Sequence, residues 1–188
     1  LTTSSAASDV YKRQMLILSP RAVERLENYS PPWPLPKVFR LTKGGKLIEG
    51  IFRGATINTP SMLCVADYLD ALAWIRSIGG LHGAIAKSEA NLKVLRDFVS
   101  QREWIHFLAA EDDQISNTSV CLTLDVDADR VKGIVSLLDN EGAAFDIGAY
   151  RDAPAGLRIW CGATVEEHDL KMLMPWIDWA YESVTELS

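Results

Sequence analysis

Two arginines beside a short loop are the residues of this chain whose type and spacing best suit the capture of an anion. Arg151 and Arg158 flank the loop in the stretch YRDAPAGLR. In a strand over 157–161, the alternation of side chains puts Arg158 and Trp160 on one face. A guanidinium fixed on a strand can hold a carboxylate through two parallel hydrogen bonds. A solvated arginine at a strand end is the commoner arrangement, so this pattern alone leaves the role open.

A helix start at Asn58-Thr59-Pro60 offers a second place for an anion. Thr59 suits the N-cap and Pro60 the first helical position. The free N–H groups of a first turn carry a partial positive charge that favours a phosphate, and the side chains of Asn58 and Thr59 add two donors. An ordinary helix cap without a ligand is the alternative.

Motifs of other chemistries are absent from the sequence. It has no HExxH, CxxC or GxSxG motif, and Lys43-Gly44-Gly45-Lys46 lacks the spacing of a P-loop, so that it predicts a β-turn. The cysteines and histidines are scattered, which predicts no metal site and is typical of a reducing cytoplasm. They are Cys64, Cys121, Cys161, His82, His106 and His168.

Composition narrows the class of protein further. The 188 residues are 48% hydrophobic, enough for one sizeable core or two small ones. The net charge is −6 and no basic stripe is present, which argues against a nucleic-acid partner. No apolar run approaches the length of a membrane-spanning helix, so we expect no membrane association.

The first fourteen residues differ from the rest. Leu1–Gln14, LTTSSAASDVYKRQ, is polar and without period, and its last six residues back-translate to the end of a transposon-derived sequencing adapter. We therefore interpret residues 1–14 as a probable adapter-derived artefact, expect them to be disordered, and leave them out of the fold reasoning.

Hydrophobic periodicity and turn residues predict short strands, one proline loop and three helices before residue 103. Ser19 and Pro20 suit the cap and first position of a short helix, and Gly79-Gly80 should end the helix that begins at Pro60. The remaining expected elements are strands at 15–18 and 47–52, an extended segment at 38–41, a proline loop at 30–36, and a helix at 83–102.

The last ninety residues predict an α+β unit in which helices pack on a small sheet. Asp127 suits the cap of a helix that ends before Gly142, and Thr164 with Glu167 forms a capping-box pattern for a last helix that Pro175 should kink or split. The expected strands are 104–108, 119–126, 144–147 and 157–161.

In one order along the chain, these segments resemble phosphoserine aminotransferase. The stretch MLILSPRAVERLENYSPPWPLPKVFRLTKGGKLIEGIFRGATINTPSM is similar to the part of that family that follows its active-site lysine, and DIGAYRDAPAGLRIWCGATVEEHDL to its substrate-arginine region and last helix. The resemblance covers Met15 to about Val184. It implies a C-terminal fragment of a class-V, fold-type-I enzyme that uses pyridoxal 5'-phosphate (PLP).

The resemblance also implies an activity and site residues. The family converts 3-phosphohydroxypyruvate and glutamate to phosphoserine and 2-oxoglutarate, in serine biosynthesis, usually as a cytoplasmic homodimer. Asn58 and Thr59 match the pair that binds the PLP phosphate across the dimer interface. Arg158 matches the arginine for the substrate α-carboxylate, and Arg151 one credited with the substrate phosphate, although its spacing from Arg158 is one residue longer than in the best-known branch. Tyr150 stands where some members have a histidine.

One departure from the family concerns catalysis. The family's Schiff-base lysine precedes the strand represented by Met15–Leu18, and Lys12 of the adapter-like tail is no substitute for it. We therefore assign no catalytic residue within the chain and expect the fragment alone to be inactive.

The expected fold class is α/β: a remnant of the large PLP-binding domain with a bridging helix at 15–78, and a small C-terminal α+β domain at 79–188. Two alternatives stay open. One is a fragment of another class-V aminotransferase, and the other is a non-enzymatic α+β module that binds a small molecule through Arg158.

Overall fold

The computed structural model describes residues 2–3, 14–15, 17–56, 59 and 61–186. The chain divides into two compact units, Leu1–Trp74 and Ile75–Ser188. The sequence places a boundary between residues 78 and 79, and its assignment of the two parts to a PLP domain and a C-terminal domain stays a prediction.

The first unit begins with two short strands and a capped helix. Strand β1 (Thr2–Thr3) pairs antiparallel with β2 (Gln14–Met15). The strand expected over 15–18 does not continue, since residues 17 and 18 lie outside any strand, and Leu16 lies outside the described residues. Helix α1 spans Pro20–Asn28, and the Ser19 hydroxyl accepts a hydrogen bond from the Ala22 amide at 3.2 Å. This cap confirms the predicted helix start.

A hairpin follows the proline loop. Strands β3 (Thr42–Lys43) and β4 (Lys46–Leu47) are joined by Gly44 and Gly45, whose φ angles of 60° and 73° are those that a tight two-residue hairpin turn needs. The predicted turn is therefore confirmed. Glu27 of α1 fastens the hairpin, because its carboxylate accepts from the Leu47 amide and the Lys46 ammonium, both at 3.0 Å.

The extended segment expected over 38–41 is wrong, and of the strand expected over 47–52 only Leu47 lies in a strand, at the end of β4. Residues Lys37–Phe39 and Glu49–Arg53 form 3₁₀ helices instead. The ladder ends where Ile48 donates to the Leu41 carbonyl at 2.9 Å, and the next bond, from Ile51 to Ile48, already closes a local turn. Apolar composition alone cannot distinguish so short a strand from a 3₁₀ turn.

Helix α2 spans Met62–Ser77. Its N-cap is Ser61, whose hydroxyl accepts from the Cys64 amide at 3.4 Å and whose carbonyl accepts from Val65 at 3.1 Å. The predicted cap at Thr59 is therefore wrong by two residues, because Ser61 offers the same hydroxyl nearer to the first turn. The apolar residues of this helix are largely exposed, and none of its described residues is buried.

Helix α3 spans Gly80–Ser100 and starts three residues earlier than expected. Gly79, with φ of 99°, separates it from α2 together with Ile78, as the two glycines predict. Gly83 in the first turn lies against the Ile78 carbonyl oxygen, which a Cβ at this position would approach to 1.8 Å.

The second unit is an antiparallel three-stranded sheet in the order β5-β6-β7, with helices against it. The predicted strands appear as β5 (Ile105–Phe107), β6 (Ser119–Leu124) and β7 (Gly156–Trp160). Helix α4 (Ala128–Asn140) is capped by Asp127, whose carboxylate accepts from the amides of Asp129 and Arg130 at 3.1 and 2.9 Å. The predicted cap is confirmed.

The strand expected over 144–147 is not formed. One isolated bridge, Gly148 to Leu157, lies beside this segment, and Asp146 has a φ of 51°. A left-handed residue cannot continue an extended ladder. The segment instead makes a bend that brings Asp146 to the neighbouring strand.

Helix α5 spans Glu167–Thr185 without interruption at Pro175, so that the expected split is wrong. The predicted capping box is also wrong, because the Thr164 hydroxyl accepts from the Trp160 indole at 3.1 Å rather than from the helix. A buried amide fixes the segment between β7 and α5: Nδ2 of Asn91 donates to the carbonyls of Val165 and Cys161 at 2.9 and 3.1 Å.

The core of this unit lies between the helices and one face of the sheet. Every second residue of β6 is buried, and the fully buried side chains come from all three strands and from α3, α4 and α5. The largest of them are Leu95, Ile105, Leu122, Ile134, Leu138, Leu157 and Ile177. The described part of the chain contains no helix that is long and apolar enough to span a membrane, and no cluster of three or more potential metal ligands.

Candidate functional site

The face of the sheet that points away from the core carries the candidate site. Register pairs Cys121 with Arg158 and Ser119 with Trp160 across β6 and β7. Ile159 is buried, whereas Arg158 is partly accessible and Trp160 exposed. The alternation predicted for this strand is therefore confirmed, and Arg158 stands on the outer face.

The Arg158 guanidinium is held from two sides. Its Nη2 donates to the Asp146 carboxylate at 2.7 Å and to the Asp146 carbonyl at 3.1 Å. Its Cζ lies 4.5 Å from the centre of the Tyr150 ring, within the range of a cation–π contact. Asp146 thus fixes the end of the side chain, and Tyr150 contacts the face of the guanidinium.

Tyr150 connects this arginine to the edge of β6. Its hydroxyl lies 3.1 Å from the hydroxyl of Ser119. That hydrogen bond, followed by the neighbouring Arg158, lowers the pKa of Tyr150 below its ordinary value. Tyr150 in turn, with the Asp146 carboxylate, raises the pKa of Arg158. The arginine therefore stays a cation at any physiological pH.

Asp146 reaches Arg158 because of its backbone. Its φ of 51° lies in the left-handed region, which Asp and Asn occupy more readily than other non-glycine residues. Next to it, the Arg158 amide donates to the Ile147 carbonyl at 2.7 Å, which ties the bend to β7. The Asp146 side chain is 91% exposed, whereas that of Arg158 is 23% exposed.

These residues surround an open cleft of about 390 Å³. Its lining combines one cation, one carboxylate, two hydroxyls and three aromatic rings, which suits a small anion with a polar body. The residues are Ser119, Phe145, Asp146, Tyr150, Arg158 and Trp160. Ser119 also belongs to a neighbouring cleft of about 350 Å³ with a more apolar lining that includes Phe107, Leu108, Ile115 and Cys121.

The structure does not bring the two candidate arginines together in this cleft. Arg151 lies in the exposed turn between Tyr150 and β7 and is absent from the residues that line the cleft. The turn closes through a hydrogen bond from the Ala153 amide to the Tyr150 carbonyl at 3.0 Å. Arg151 thus belongs to the same loop as the cleft but not to its wall.

The second predicted site lies in the other unit. Thr59 is exposed and precedes the capped start of α2, while Asn58 lies outside the described residues. The pairing of Asn58 and Thr59 around a phosphate stays a prediction.

Sequence reasoning did not identify Asp146 or Ser119 as site residues. Asp146 falls in a segment where a strand was expected, and its side chain meets Arg158 only because a bend forms there. Ser119 is the cross-strand partner of Trp160, so that an exact β6–β7 register would have found it. Tyr150 carried a signal, since it stands within the loop motif beside Arg151.

No family model matches the chain. Solved structures do match its fold. The phosphoserine aminotransferase of Bacillus circulans subsp. alkalophilus superposes with a TM-score of 0.61 and 20% identity, over 67% of this chain and 34% of that one. A phosphoserine aminotransferase studied for radiation damage of its Schiff base gives 0.60 and 18%, over 67% and 35%. The matched two thirds of this chain share the fold of the corresponding part of these phosphoserine aminotransferases, as the resemblance implies.

The chain is also similar to curated sequences with the same name. The phosphoserine aminotransferases of Methanosarcina mazei and Methanosarcina barkeri are each 57% identical over 170 residues, which is 90% of this chain and 46% of the relative. That of Corynebacterium glutamicum is 25% identical over 164 residues. The chain is homologous to phosphoserine aminotransferases, which confirms the resemblance in its sequence. It spans about half the length of the curated relatives it matches.

Proposed function

We propose that this chain is part of a phosphoserine transaminase, which exchanges the amino group between glutamate and 3-phosphohydroxypyruvate and so serves serine biosynthesis. The observation that carries the proposal is Arg158. It stands on the outer face of the sheet and lines a cleft, and the family resemblance assigns it to the substrate carboxylate. The names of the relatives at 57% identity support the same reaction. We propose a cytoplasmic homodimer as the working form.

The role of Arg158 in that reaction is to bind and orient. A guanidinium with Tyr150 against its face can hold the α-carboxylate of the amino acid or keto acid that occupies the cleft. Fixing this end of the substrate limits where its α-carbon can lie, which reduces the entropy lost on reaching a reactive geometry. The hydroxyls of Ser119 and Tyr150 are further donors at the same wall.

The cofactor we propose is PLP, and the donors present suit its phosphate. The Thr59 hydroxyl is exposed ahead of α2, and a helix start presents unpaired N–H groups. Thr59 would hold the phosphate together with Asn58. When bound, PLP supplies the electron sink for the transfer of the amino group. The family resemblance assigns no residue of this chain to the lysine that carries PLP.

The sharpest test of the proposal replaces Arg158 by Lys in a full-length protein that contains this chain. Lysine keeps the charge and loses the planar fork, so binding of glutamate and 2-oxoglutarate should weaken by about 1.5–3 kcal/mol while PLP binding changes little. Arg53, whose exposed guanidinium pairs with Glu49 one turn away, provides the control Arg53→Lys, which should leave both unchanged. Unchanged substrate affinity in Arg158→Lys would remove Arg158 from the site.

The preference for a phosphorylated substrate we assign to Arg151. Its place in the loop beside the cleft supports this only in part, because it does not line the cleft. In the full-length protein, Arg151→Ala should reduce the preference for phosphoserine over serine. If the preference is intact, a residue other than Arg151 binds the substrate phosphate. If the protein shows no such preference at all, it acts on the substrate of another class-V aminotransferase.

The family resemblance places Asn58 and Thr59 at the PLP of a neighbouring subunit. Mixing full-length subunits that carry Asn58→Ala and Thr59→Ala with subunits that lack the Schiff-base lysine tests this. A shared site predicts that hybrid dimers contain one intact site and recover up to about half of the wild-type activity, if the two sites are independent. Inactive hybrids, with dimers still formed, would place the contact within one subunit.

The rival from another class is a binding module in which Arg158 holds a small acid and no reaction follows. Transaminase activity of the full-length protein separates the two, since the module would bind 2-oxoglutarate and produce no amino acid from it.

A further inference from the structure

The way in which Asp146 contacts Arg158 has a consequence for any ligand of this arginine. Both hydrogen bonds that the structure gives between them start from one nitrogen, Nη2, and end on the carboxylate and the carbonyl of Asp146 at 2.7 and 3.1 Å. Because Nη2 carries two hydrogens, both of its donors are engaged.

A guanidinium grips a carboxylate with two parallel bonds in only two ways. The end-on arrangement uses Nη1 with Nη2, and the side-on arrangement uses Nε with Nη2, since the Nε–H bond points away from Nη1. Either one needs Nη2. While Asp146 keeps this nitrogen, Arg158 cannot form a two-bond contact with a second carboxylate.

We propose that Asp146 is an internal competitor for Arg158, which a substrate carboxylate must displace before the fork can hold it. The inference rests on the proposed role of Arg158 and adds a residue that sets affinity for that same site. Asp146 carries a carboxylate, the same chemical group as the ligand it excludes. A ligand therefore displaces it only if its own contact with Arg158 is the stronger one. A ligand with two carboxylate oxygens can replace it, whereas one with a single neutral acceptor gains too little.

The surroundings suit such an exchange. The Asp146 side chain is 91% exposed, and water can therefore solvate its carboxylate as soon as it leaves Arg158. It belongs to a bend outside any strand or helix, so its departure breaks no ladder. Tyr150 contacts the guanidinium independently of Asp146 and keeps its bond to Ser119, which leaves the arginine supported during the exchange.

The size of the effect follows from the exposure of the pair. Exposed ion pairs contribute little, and removing this competitor should tighten carboxylate binding by about two- to fivefold. Two variants separate the effect of the Asp146 charge from that of its backbone conformation. Asp146→Asn keeps the shape and a weaker neutral acceptor, and Asp146→Gly removes the side chain at a φ that glycine adopts freely. Affinity should rise in the order wild type, Asn, Gly.

The test uses the 188-residue chain with ¹⁵N-labelled arginine and 2-oxoglutarate as the probe. The Nε–Hε signal of Arg158, assigned with Arg158→Lys, is followed by nuclear magnetic resonance during titration. Asp152, an exposed carboxylate in the adjacent turn that does not line the cleft, provides the control Asp152→Asn. It removes the same charge from the same loop and should leave the affinity unchanged. The dimethyl ester of 2-oxoglutarate should not move the signal in any variant.

The outcomes are distinct. Tighter binding in both Asp146 variants, with unchanged affinity in Asp152→Asn and no response to the dimethyl ester, supports the inference. If 2-oxoglutarate moves the Arg158 signal but the Asp146 variants bind equally or more weakly, Asp146 orients the arginine or does nothing, and the inference is overturned while the role of Arg158 stands. If the signal moves in none of the proteins at any soluble concentration of the probe, Arg158 is not the carboxylate anchor, and the proposed function loses its supporting residue.

Discussion

Cys161 shows how strongly burial can change the pKa of a side chain in this molecule. It follows β7, has no exposed surface, and belongs to the core of the second unit. Burial raises the pKa of its thiol to about 12, because the thiolate would lose its hydration there. Cys161 therefore acts as a small apolar residue, as its position in a strand-like run predicts.

This shift makes stability depend on alkaline pH. In the unfolded chain the Cys161 thiol ionises near pH 9, whereas in the folded chain it keeps its proton to about pH 12. The folded state thus holds more protons in this window, so the free energy of unfolding should fall by roughly 1.4 kcal/mol per pH unit above about pH 9 from this group. Denaturant unfolding measured at several pH values checks it.

Other groups also titrate in that range, so the control is Cys161→Ala. The variant loses packing and is less stable at every pH, but its stability should decline less steeply than that of the wild type between about pH 9 and pH 11. Parallel pH profiles for the two proteins would contradict the buried, neutral thiol.

At the residue scale, sequence reasoning identified Arg158 but not its contacts with Asp146 and Tyr150. The orientation of Arg158 follows from strand alternation, a local property that one segment contains. The contact with Asp146 depends on a left-handed residue twelve positions earlier, and the Tyr150–Ser119 bond on the register of β6. Such contacts come from tertiary structure, which a single segment does not encode.

At the scale of the elements, the loop between Gly148 and Gly156 holds the site together. Gly156 begins β7 two residues before Arg158 and lies against the backbone of β6. A Cβ at Gly156 would lie 2.0 Å from the Leu122 carbonyl oxygen, which is not a flexible group. At Gly148, on the other side of the loop, the nearest atoms are methyl carbons of Val135 at 3.9 and 4.0 Å.

These two glycines form a matched pair for mutation. Gly156→Ala should destabilise the chain by about 3 kcal/mol or more, since β7 must move away from β6 to admit the methyl group. Gly148→Ala should change the free energy of unfolding by less than about 1 kcal/mol, because its methyl group would lie at van der Waals distance from Val135. Equal effects of the two substitutions on unfolding by denaturant would show that the close approach of β6 to β7 is wrong.

Helix starts illustrate what the sequence could and could not specify among the elements. Ser19 and Asp127 cap their helices as expected, and each stands directly before the first helical residue. Thr59 and Thr164 fail for different reasons. Ser61 replaces the first, and the Trp160 indole binds the hydroxyl of the second. A capping sequence therefore predicts a helix start only under two conditions. No neighbouring residue caps the helix instead, and no other donor binds the capping hydroxyl.

The two units of the whole chain differ in how much they bury. Every fully buried side chain of the described residues lies between Ser88 and Ala180, while α1 and α2 contain none. Local opening is easiest where few apolar contacts hold a segment. The backbone bonds of α1 and α2 should therefore open far more often than those of α4 and β6.

Hydrogen exchange on the 188-residue chain checks this contrast. Amides at the centres of α3 and α4 should exchange much more slowly than those at the centre of α2, although all three are hydrogen-bonded helices of at least 13 residues. The comparison within one sample removes differences in pH and temperature. Similar protection of α2 and α4 would mean that burial in the second unit does not govern opening.

The last prediction concerns the cofactor and the whole chain. A specific lysine adduct needs an amine placed where PLP is also held by its phosphate. No lysine lines the Arg158 cleft, and Lys46, Lys93, Lys132 and Lys171 form exposed ion pairs on the surface. Lys12 lies outside the described residues. We therefore expect PLP followed by borohydride to label the 188-residue chain weakly and at several lysines, as judged by peptide mass spectrometry. Pyridoxal, which lacks the phosphate, should give the same pattern, because we assign no lysine of this chain to a PLP that is held by its phosphate at Asn58 and Thr59. A stoichiometric adduct at one lysine between Met15 and Ser188, formed with PLP and not with pyridoxal, would show that the chain alone holds the cofactor.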